Sequence, residues 1–271
     1  MGFYRFAPSD GASLQNDNLS SLEPLAPEPR PERSEGSKCG ESPLLKYNIP
    51  MLFIIGTSIG NIEDTTLRAV RTLCSAEIIL AEDTRTFGTY YKRVKELFKL
   101  SSKKQQKFLS FHTENEFEQL SQALELLKAG LDVVLVSESG MPVISDPGAL
   151  LLSHVIKEGI PYTVIPGPSA LTTAAVLSGF KTERLLFLGF LPKKESQIIS
   201  LLKNLKDGAV IFYESPHRIN KTLEILAKEL PNTKIAICRE MTKKFEEVVR
   251  GTPGELSGKT YKGELTVVIR L

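Results

Sequence analysis

Residues 133–148 read VVLVSESGMPVISDPG, and this stretch decides the fold. It opens with four apolar residues, a run typical of a strand buried on both faces of a sheet. It closes on a helix start, because Asp146 can cap a helix and Pro147 suits the first helical position. The nine residues 137–145 exceed the usual strand-to-helix connection of about two to six. A long loop at the C-terminal end of a parallel strand predicts a ligand site, with an elaborate structural turn as the alternative.

Short apolar runs alternate with helical patterns along most of the remaining chain, and this alternation predicts a parallel sheet with helical crossovers. Beyond residue 166 the strands are denser and the helices fewer, which predicts a mixed sheet. The predicted fold class is therefore α/β with two domains. The N-terminal α/β domain is placed at residues 51–166 and the C-terminal α/β domain at residues 167–271.

The N-terminal segment has a different composition. Residues 1–50 contain seven of the 16 prolines, and their acidic residues outnumber the basic ones by seven to five. Such a segment buries too little apolar surface to order itself, so residues 1–48 are predicted to be a disordered extension. Met51 stands directly before the first predicted strand and is an alternative start of the protein. A targeting segment is the other alternative, which the excess of acidic residues disfavours.

Composition excludes several functional classes. The net charge of +2 is too small to indicate a nucleic-acid partner by itself. The three cysteines and three histidines lack the spacing of metal ligands, so no metal site is expected. Scattered cysteines fit a reducing cytosol, and no apolar run is long enough for a membrane span. We therefore expect a cytoplasmic enzyme or binding protein without a metal or a membrane partner.

The loops after the predicted strands carry side chains that accept hydrogen bonds, and they lack the glycine-rich motifs that bind nucleotide phosphates. The patterns GxGxxG and GxxxxGK[ST] are both absent. Acidic side chains next to glycines suit ribose hydroxyls and a positive centre better than phosphates. A nucleoside ligand with a cationic group, such as S-adenosylmethionine, matches these loops without being specified by them. The acceptors are Ser58, Glu82, Asp83, Glu138, Ser139, Asp146, Ser169 and Glu214.

Nine ordered blocks carry a resemblance to a known family. They read LFIIGTSIGNIEDTTLRAVRTL, AEDTR, SFHTENE, VSESGMPVISDPG, IPGPSA, RLLFLGFLP, FYESPHR, ICREMTKKFEEVVRGT and KGELTVVI. From Met51 to its C-terminus the chain resembles the ribosomal RNA small-subunit methyltransferase I family of the tetrapyrrole-methylase superfamily. The resemblance implies two α/β domains with the cofactor in the cleft between them. It further implies methyl transfer from S-adenosylmethionine to a cytidine ribose 2′-hydroxyl in small-subunit ribosomal RNA, usually by a homodimer.

The sequence departs from the family pattern at a few positions. Ser58 stands where a proline is usual, and Met141 replaces a threonine in the central loop. Glu138 replaces an aspartate, which keeps the carboxylate but lengthens its side chain by one methylene. Many members also continue into a small helical tail that helps to hold RNA, whereas this sequence ends at Leu271.

The candidate site residues follow from these loops. For the proton of the ribose hydroxyl we favour Glu82 or Asp83 as acceptor, with Arg85 orienting them or holding a phosphate. Glu214, with Arg218 beside it, is the competing acceptor from the second domain. The predicted cofactor-binding residues are Ser58, Glu138, Gly140, Pro142, Ser169, Ala170 and Tyr213.

Basic side chains supply the expected contact with the small ribosomal subunit and its RNA. A solvated charged face is the alternative interpretation of these side chains. The lysines predicted to line one rim of the cleft are Lys103, Lys104, Lys107, Lys193 and Lys194.

Two other functions stay open on the sequence alone. The first is methylation of a small tetrapyrrole-like substrate on the same fold. The second is a catalytically inactive RNA-binding protein of ribosome assembly, which the altered central loop would suit.

Overall fold

The computed structural model describes residues 50–102, 105–205 and 207–271. Two five-stranded sheets and their helices form this part of the chain. The predicted disordered extension, residues 1–48, lies outside the described residues, as do Lys103 and Lys104.

The first sheet has the strand order β3-β2-β4-β1-β5, and every pairing in it is parallel. The central strand β4 is buried at all four positions, as its unbroken apolar run predicts. The strands are β1 (Leu52–Ile55), β2 (Ile78–Ala81), β3 (Lys107–Ser110), β4 (Val133–Val136) and β5 (Tyr162–Ile165).

Helices cover both faces of this sheet. The helices α1 and α2 pack on one face around the side chains of Val70, Leu73 and Tyr91. The helices α3 and α4 pack on the other face, where Leu124 and Leu151 belong to a second apolar cluster. The four helices are α1 (Leu67–Ser75), α2 (Thr84–Phe98), α3 (Glu116–Lys128) and α4 (Ala149–Lys157).

The second sheet has the order β6-β7-β10-β8-β9 and is mixed, since only the β6–β7 pairing is parallel. The predicted α/β class, with a parallel sheet followed by a mixed one, is confirmed. The strands are β6 (Leu185–Phe190), β7 (Ala209–Glu214), β8 (Lys234–Arg239), β9 (Glu247–Gly251) and β10 (Leu265–Arg270). The helices are α5 (Ala170–Ser178), α6 (Glu195–Leu202), α7 (Ile219–Glu229) and α8 (Pro253–Leu256).

The helix α5 belongs with the second sheet although it directly follows the last strand of the first. Ala174 and Ala175 of α5 are buried in the same apolar cluster as Ile211 and Val268 of the second sheet. The guanidinium group of Arg250 donates to the carbonyl groups of Leu177 and Ser178 at the end of this helix. The predicted boundary between residues 166 and 167 stays a prediction, and both sheets form one compact unit.

The loops after β1 and β5 touch backbone to backbone. A Cβ atom on Gly56 would lie 2.7 Å from the nitrogen of Gly167, and a Cβ atom on Gly167 would lie 2.7 Å from the carbonyl oxygen of Gly56. Such distances leave no room for any side chain at either position. The two glycines therefore let neighbouring strands deliver their loops side by side at one edge of the first sheet.

Candidate active site between the two sheets

A cavity of about 500 Å³ lies between the two sheets. The first sheet contributes Glu82 after β2 and the loop that follows β4. The second sheet contributes the end of β7 and the start of β10. This is the edge at which open parallel sheets bind ligands, as the long central loop predicted. We call this cavity the central cavity.

Seven of the predicted site residues line the central cavity, and four do not. Ser58, Asp83, Arg85 and Pro142 are absent from its walls. The roles assigned to all eleven residues stay predictions. The hydrogen bonds and burial of each side chain show which of these roles it is free to take. The lining residues are Glu82, Glu138, Gly140, Ser169, Ala170, Tyr213 and Glu214.

Asp83 caps a helix. Its carboxylate accepts hydrogen bonds from the backbone N–H groups of Arg85 at 2.8 Å and Thr86 at 3.2 Å, the first turn of α2. These backbone hydrogen bonds hold the pKa of Asp83 below its usual value. A carboxylate occupied in this way is a poor proton acceptor. Arg85 lies 3.7 Å from Asp83 with its side chain 93% exposed, so it faces solvent at the rim.

Hydrogen bonds within the second domain hold the carboxylate of Glu214 in place. It is buried, and its carboxylate accepts hydrogen bonds from the N–H of Ser215 at 2.8 Å and from the hydroxyl of Thr222 at 2.6 Å. The guanidinium group of Arg218 lies 3.7 Å away and donates to the carbonyl groups of Leu191 and Pro192. The block FYESPHR thus joins the end of β7 to the loop after β6, which leaves Glu214 little freedom to accept a substrate proton.

Asp146 does not cap α4, contrary to the sequence-based expectation. The helix begins at Ala149, and its N-cap is Gly148 at a left-handed φ of 119°. Glu116 of α3 takes the capping role, since its carboxylate accepts from the N–H groups of Gly148 and Leu150, both at 3.1 Å. Asp146 is released from capping and lines the central cavity.

The central cavity is strongly acidic. Among the described residues, no lysine, arginine or histidine lines it. Burial, reinforced by the charge of Glu82, raises the pKa of Asp146 to about 6, against an opposing hydrogen bond from Ser137. Burial also raises the pKa of Glu138, followed by the charges of Glu82 and Asp83. A cationic ligand would relieve this repulsion, whereas a phosphate would worsen it. The acidic lining residues are Glu82, Glu138, Asp146, Glu214 and Glu264.

Apolar and aromatic side chains form the rest of the central cavity. The rings of Phe187 and Phe190 meet Tyr213 edge-on, with centroids 5.0 and 5.5 Å away. The side chains of Met141 in the central loop and Met241 after β8 also line the central cavity. Sequence reasoning missed Phe190 and Met241 because a single phenylalanine or methionine does not indicate a ligand site, and only the folded chain brings them together.

Two further predicted side chains lie apart from the central cavity. Ser58 is buried and lines a second cavity, beside the hydroxyl of Tyr90. Pro142 is buried in the central loop and shapes it without facing the central cavity. Gly140 does both, since it lines the central cavity and its carbonyl oxygen accepts from the N–H of Thr57 at 2.8 Å.

The predicted lysine rim is wrong at Lys107 and stays a prediction at the other positions. Lys107 pairs with Ile78 at the start of two parallel strands, so it lies at the sheet edge opposite Glu82. Its predicted place on the rim is therefore wrong. Lys193 and Lys194 follow β6, whose last residue Phe190 lines the central cavity, and their contact with RNA stays a prediction.

The described ranges contain no helix that is both long and apolar enough to cross a membrane. Within the same part of the chain, no cluster of three or more histidine, cysteine or acidic side chains has an arrangement that would hold a metal ion.

Comparison with known proteins gives a consistent set of similarities. The family model described as Tetrapyrrole (Corrin/Porphyrin) Methylases matches residues 51–257. A ribosomal RNA small subunit methyltransferase I from Thermotoga maritima is 42% identical over 224 residues, which cover 80% of this chain and 97% of that protein. The protein of the same name from Bacillus subtilis is 36% identical over 230 residues, 83% of this chain and 76% of the relative.

Solved structures share the fold at low sequence identity. Uroporphyrin-III-C-methyltransferase from Thermus thermophilus superposes with a TM-score of 0.57 at 19% identity, over 80% of this chain and 93% of that one. Diphthine synthase gives a TM-score of 0.57 at 15% identity, over 82% of this chain and 89% of that one. At such identities the likeness extends to the fold alone.

Proposed function

The chain belongs to the ribosomal RNA small subunit methyltransferase I family, and on that premise we propose that it methylates a ribose 2′-hydroxyl of a cytidine in small-subunit ribosomal RNA, with S-adenosylmethionine as donor. Membership makes the chain a methyltransferase acting on small-subunit ribosomal RNA. The donor, the acceptor atom and the nucleotide are the proposed parts. The observation that supports the donor is the acidic central cavity, which lies at the ligand-binding edge of the parallel sheet and lacks a basic lining side chain among the described residues. The acceptor atom and the nucleotide are those that the sequence resemblance implies.

The residues of the central cavity fit the proposed donor. S-adenosylmethionine supplies a methyl group bonded to a positively charged sulfur. Glu138 and Asp146 offer negative charge to such a cation. The cavity volume of about 500 Å³ also falls within the range of about 300–1,000 Å³ that is usual for small-molecule sites. Ser169 and Ala170 at the start of α5 offer backbone groups, while Tyr213 provides an apolar wall with a polar tip.

Asp146 is the proposed proton acceptor. A ribose hydroxyl is a weak nucleophile, and a carboxylate in the cavity has to take its proton as the new bond forms. Asp146 has the required freedom, since Glu116 performs the capping that would otherwise occupy it. Glu82 after β2 is the second acceptor to consider, because it also lines the central cavity.

The surroundings of Asp146 favour proton transfer near neutral pH. The charged and titratable groups facing it are Glu82, Glu138 and Tyr213, and no positive charge among the lining residues offsets them. A base is most effective when its pKa lies near the working pH, and Asp146 has a pKa of about 6. The value of kcat/KM for the donor, which depends on the free protein, should therefore rise with pH through about 6 and level off above it.

The test of the proposed function is methyl transfer from labelled S-adenosylmethionine to small ribosomal subunits, alongside calorimetric binding of the same donor. Glu138→Ala should weaken donor binding by about 1.5–3 kcal/mol, the range for a hydrogen bond to a charged group. Donor binding without transfer to small subunits would contradict the proposed activity and favour another acceptor.

The assembly and the location are also proposals. Tyr162 and Val164 expose 44% and 43% of their surfaces on the edge strand β5, and a second copy of the chain would cover such apolar groups. Light scattering at micromolar concentration distinguishes a homodimer from a monomer. A cytoplasmic location follows from the proposed substrate, and cell fractionation checks it.

A further inference from the structure

A second cavity of about 460 Å³ adjoins the central cavity. The two share a wall formed by Ile59, Glu138, Ser139 and Glu264. A ligand in the second cavity would therefore lie next to a ligand in the central one. We call this space the side cavity.

One face of α2 forms the opposite wall of the side cavity. Thr86, Thr89, Tyr90 and Arg93 all line it, at the three- and four-residue spacing of a single helix face. Arg93 is exposed and makes no ion pair with any described residue. Lys243, in contrast, is already held by Glu240 at 3.1 Å and Glu264 at 2.9 Å.

The wall around Tyr90 is rigid and neutral. The phenol oxygen lies 2.8 Å from the hydroxyl oxygen of Thr65 and also interacts with Ser58. Burial raises the pKa of Tyr90, so its hydroxyl stays protonated at physiological pH. The ring is fixed as a partly apolar surface, flanked by the hydroxyl groups of Thr86 and Thr89.

Charge is distributed unevenly across the side cavity. The shared wall carries the carboxylates of Glu138 and Glu264, whereas α2 carries the guanidinium group of Arg93, which has no ion-pair partner among the described residues. A nucleotide has the matching distribution, with a neutral sugar and base at one end and an anionic phosphate at the other. Arginine is well suited to phosphate because it presents several donors in a fixed plane.

We propose that the side cavity binds the target nucleotide of the RNA, with its phosphate at Arg93 and its ribose at the shared wall, so that the 2′-hydroxyl reaches past this wall to Asp146 and the donor in the central cavity. This inference rests on the proposed function and adds the place where the acceptor lies. The side chains on the face of α2 would then select the RNA nucleotide, whereas the methyl donor would bind in the central cavity.

The test combines a variant that fills the side cavity with a variant that removes the phosphate contact. Thr89→Phe places a ring in the cavity from an exposed helix position, and Thr89→Val removes the hydroxyl at nearly constant size. Arg93→Ala is matched by Arg68→Ala, an exposed arginine on α1 that lines none of the described cavities. Donor binding is measured by calorimetry, and single-turnover transfer is measured with small ribosomal subunits.

Thr89→Phe should lower transfer about tenfold or more with donor affinity unchanged, because a displaced acceptor no longer aligns with the donor. Thr89→Val should lose only a fewfold. Arg93→Ala should weaken binding of the small subunit and reduce its log–log salt slope by roughly 0.7–0.9, the share of one phosphate, while Arg68→Ala should leave both unchanged.

Normal transfer by Thr89→Phe would overturn the inference and leave the proposed function intact. Loss of donor affinity in that variant would also overturn it, because the side cavity would then belong to the donor. A wild-type chain that transfers no methyl group to small subunits would instead contradict the proposed function and, with it, this assignment.

Discussion

The carboxylate of Glu116 accepts a hydrogen bond at 3.1 Å from the backbone N–H of Gly148, and a second bond from Leu150 at the same distance. A side chain of α3 thereby caps α4, a helix that begins more than thirty residues later. The loop before α4 is fixed at its end, and its own acid Asp146 faces the central cavity.

Replacing Glu116 with alanine should lower the free energy of unfolding by about 0.5–2 kcal/mol, the usual contribution of a helix cap. Methyl transfer should also fall, because a loosened loop misplaces Asp146. Glu116→Gln keeps an acceptor oxygen and should retain most of both quantities. Denaturant unfolding and single-turnover kinetics give the two values, and an alanine variant equal to wild type in both would show that the cap is dispensable.

Asp83 and Glu82 should respond differently to loss of charge. Asp83→Asn should keep stability and transfer, since asparagine caps helices as well as aspartate, while Asp83→Ala should lower stability because the cap is lost. Glu82→Gln should change the pH dependence of transfer, because the charge of Glu82 contributes to the raised pKa of Asp146. A loss of transfer of 10²-fold or more in Asp83→Asn would restore Asp83 as the base.

Arg218 should matter for stability more than for chemistry. Arg218→Ala leaves the buried carboxylate of Glu214 without its cation and frees two carbonyl groups in the loop after β6. We expect a loss of about 1–3 kcal/mol, the cost of an unsatisfied buried group. Thermal unfolding measures it, and transfer per folded molecule at low temperature should stay near wild type. A selective loss of transfer with unchanged unfolding would argue for a catalytic role of this pair.

Asp146 should make the protein less stable as pH rises. Its pKa is raised from 3.8 to about 6 in the folded chain, so the folded state disfavours the ionised form. The destabilisation is absent below about pH 4 and complete above about pH 6. Asp146→Asn should therefore be more stable than the wild type by about 1–2 kcal/mol at pH 8, a value reduced for solvent screening, and lose this advantage near pH 4. An equal or lower stability of the variant at pH 8 would contradict the raised pKa.

Local sequence patterns predicted the elements that depend on neighbouring residues. The buried strand β4 and the glycine at the end of α5 follow from short-range rules of burial and capping. The ligand-binding edge of the first sheet followed from the length of one loop. These features need no knowledge of what packs against them.

The errors arose where a distant residue decides the outcome. Asp146 was interpreted as a cap because the competing cap, Glu116, is thirty residues away in sequence. The role of Glu214 as a proton acceptor stays a prediction, and the sequence did not show that Thr222, one helix turn into α7, donates to its carboxylate. Lys107 was placed on the wrong edge although it stands at the start of its strand in sequence, and residues at that end of a parallel strand lie opposite the loops that follow the strands.

The most direct test of the central claim is the position of the methyl group added to unmodified small ribosomal subunits. Transfer from labelled S-adenosylmethionine is followed by alkaline hydrolysis, which requires a free 2′-hydroxyl to cleave the RNA backbone. We expect label in an alkali-resistant dinucleotide beginning with cytidine, and a transfer rate about 10²–10⁴-fold lower for Asp146→Asn at pH 8. Label on a base, label absent from the small-subunit RNA, or an Asp146→Asn variant as fast as wild type would contradict it.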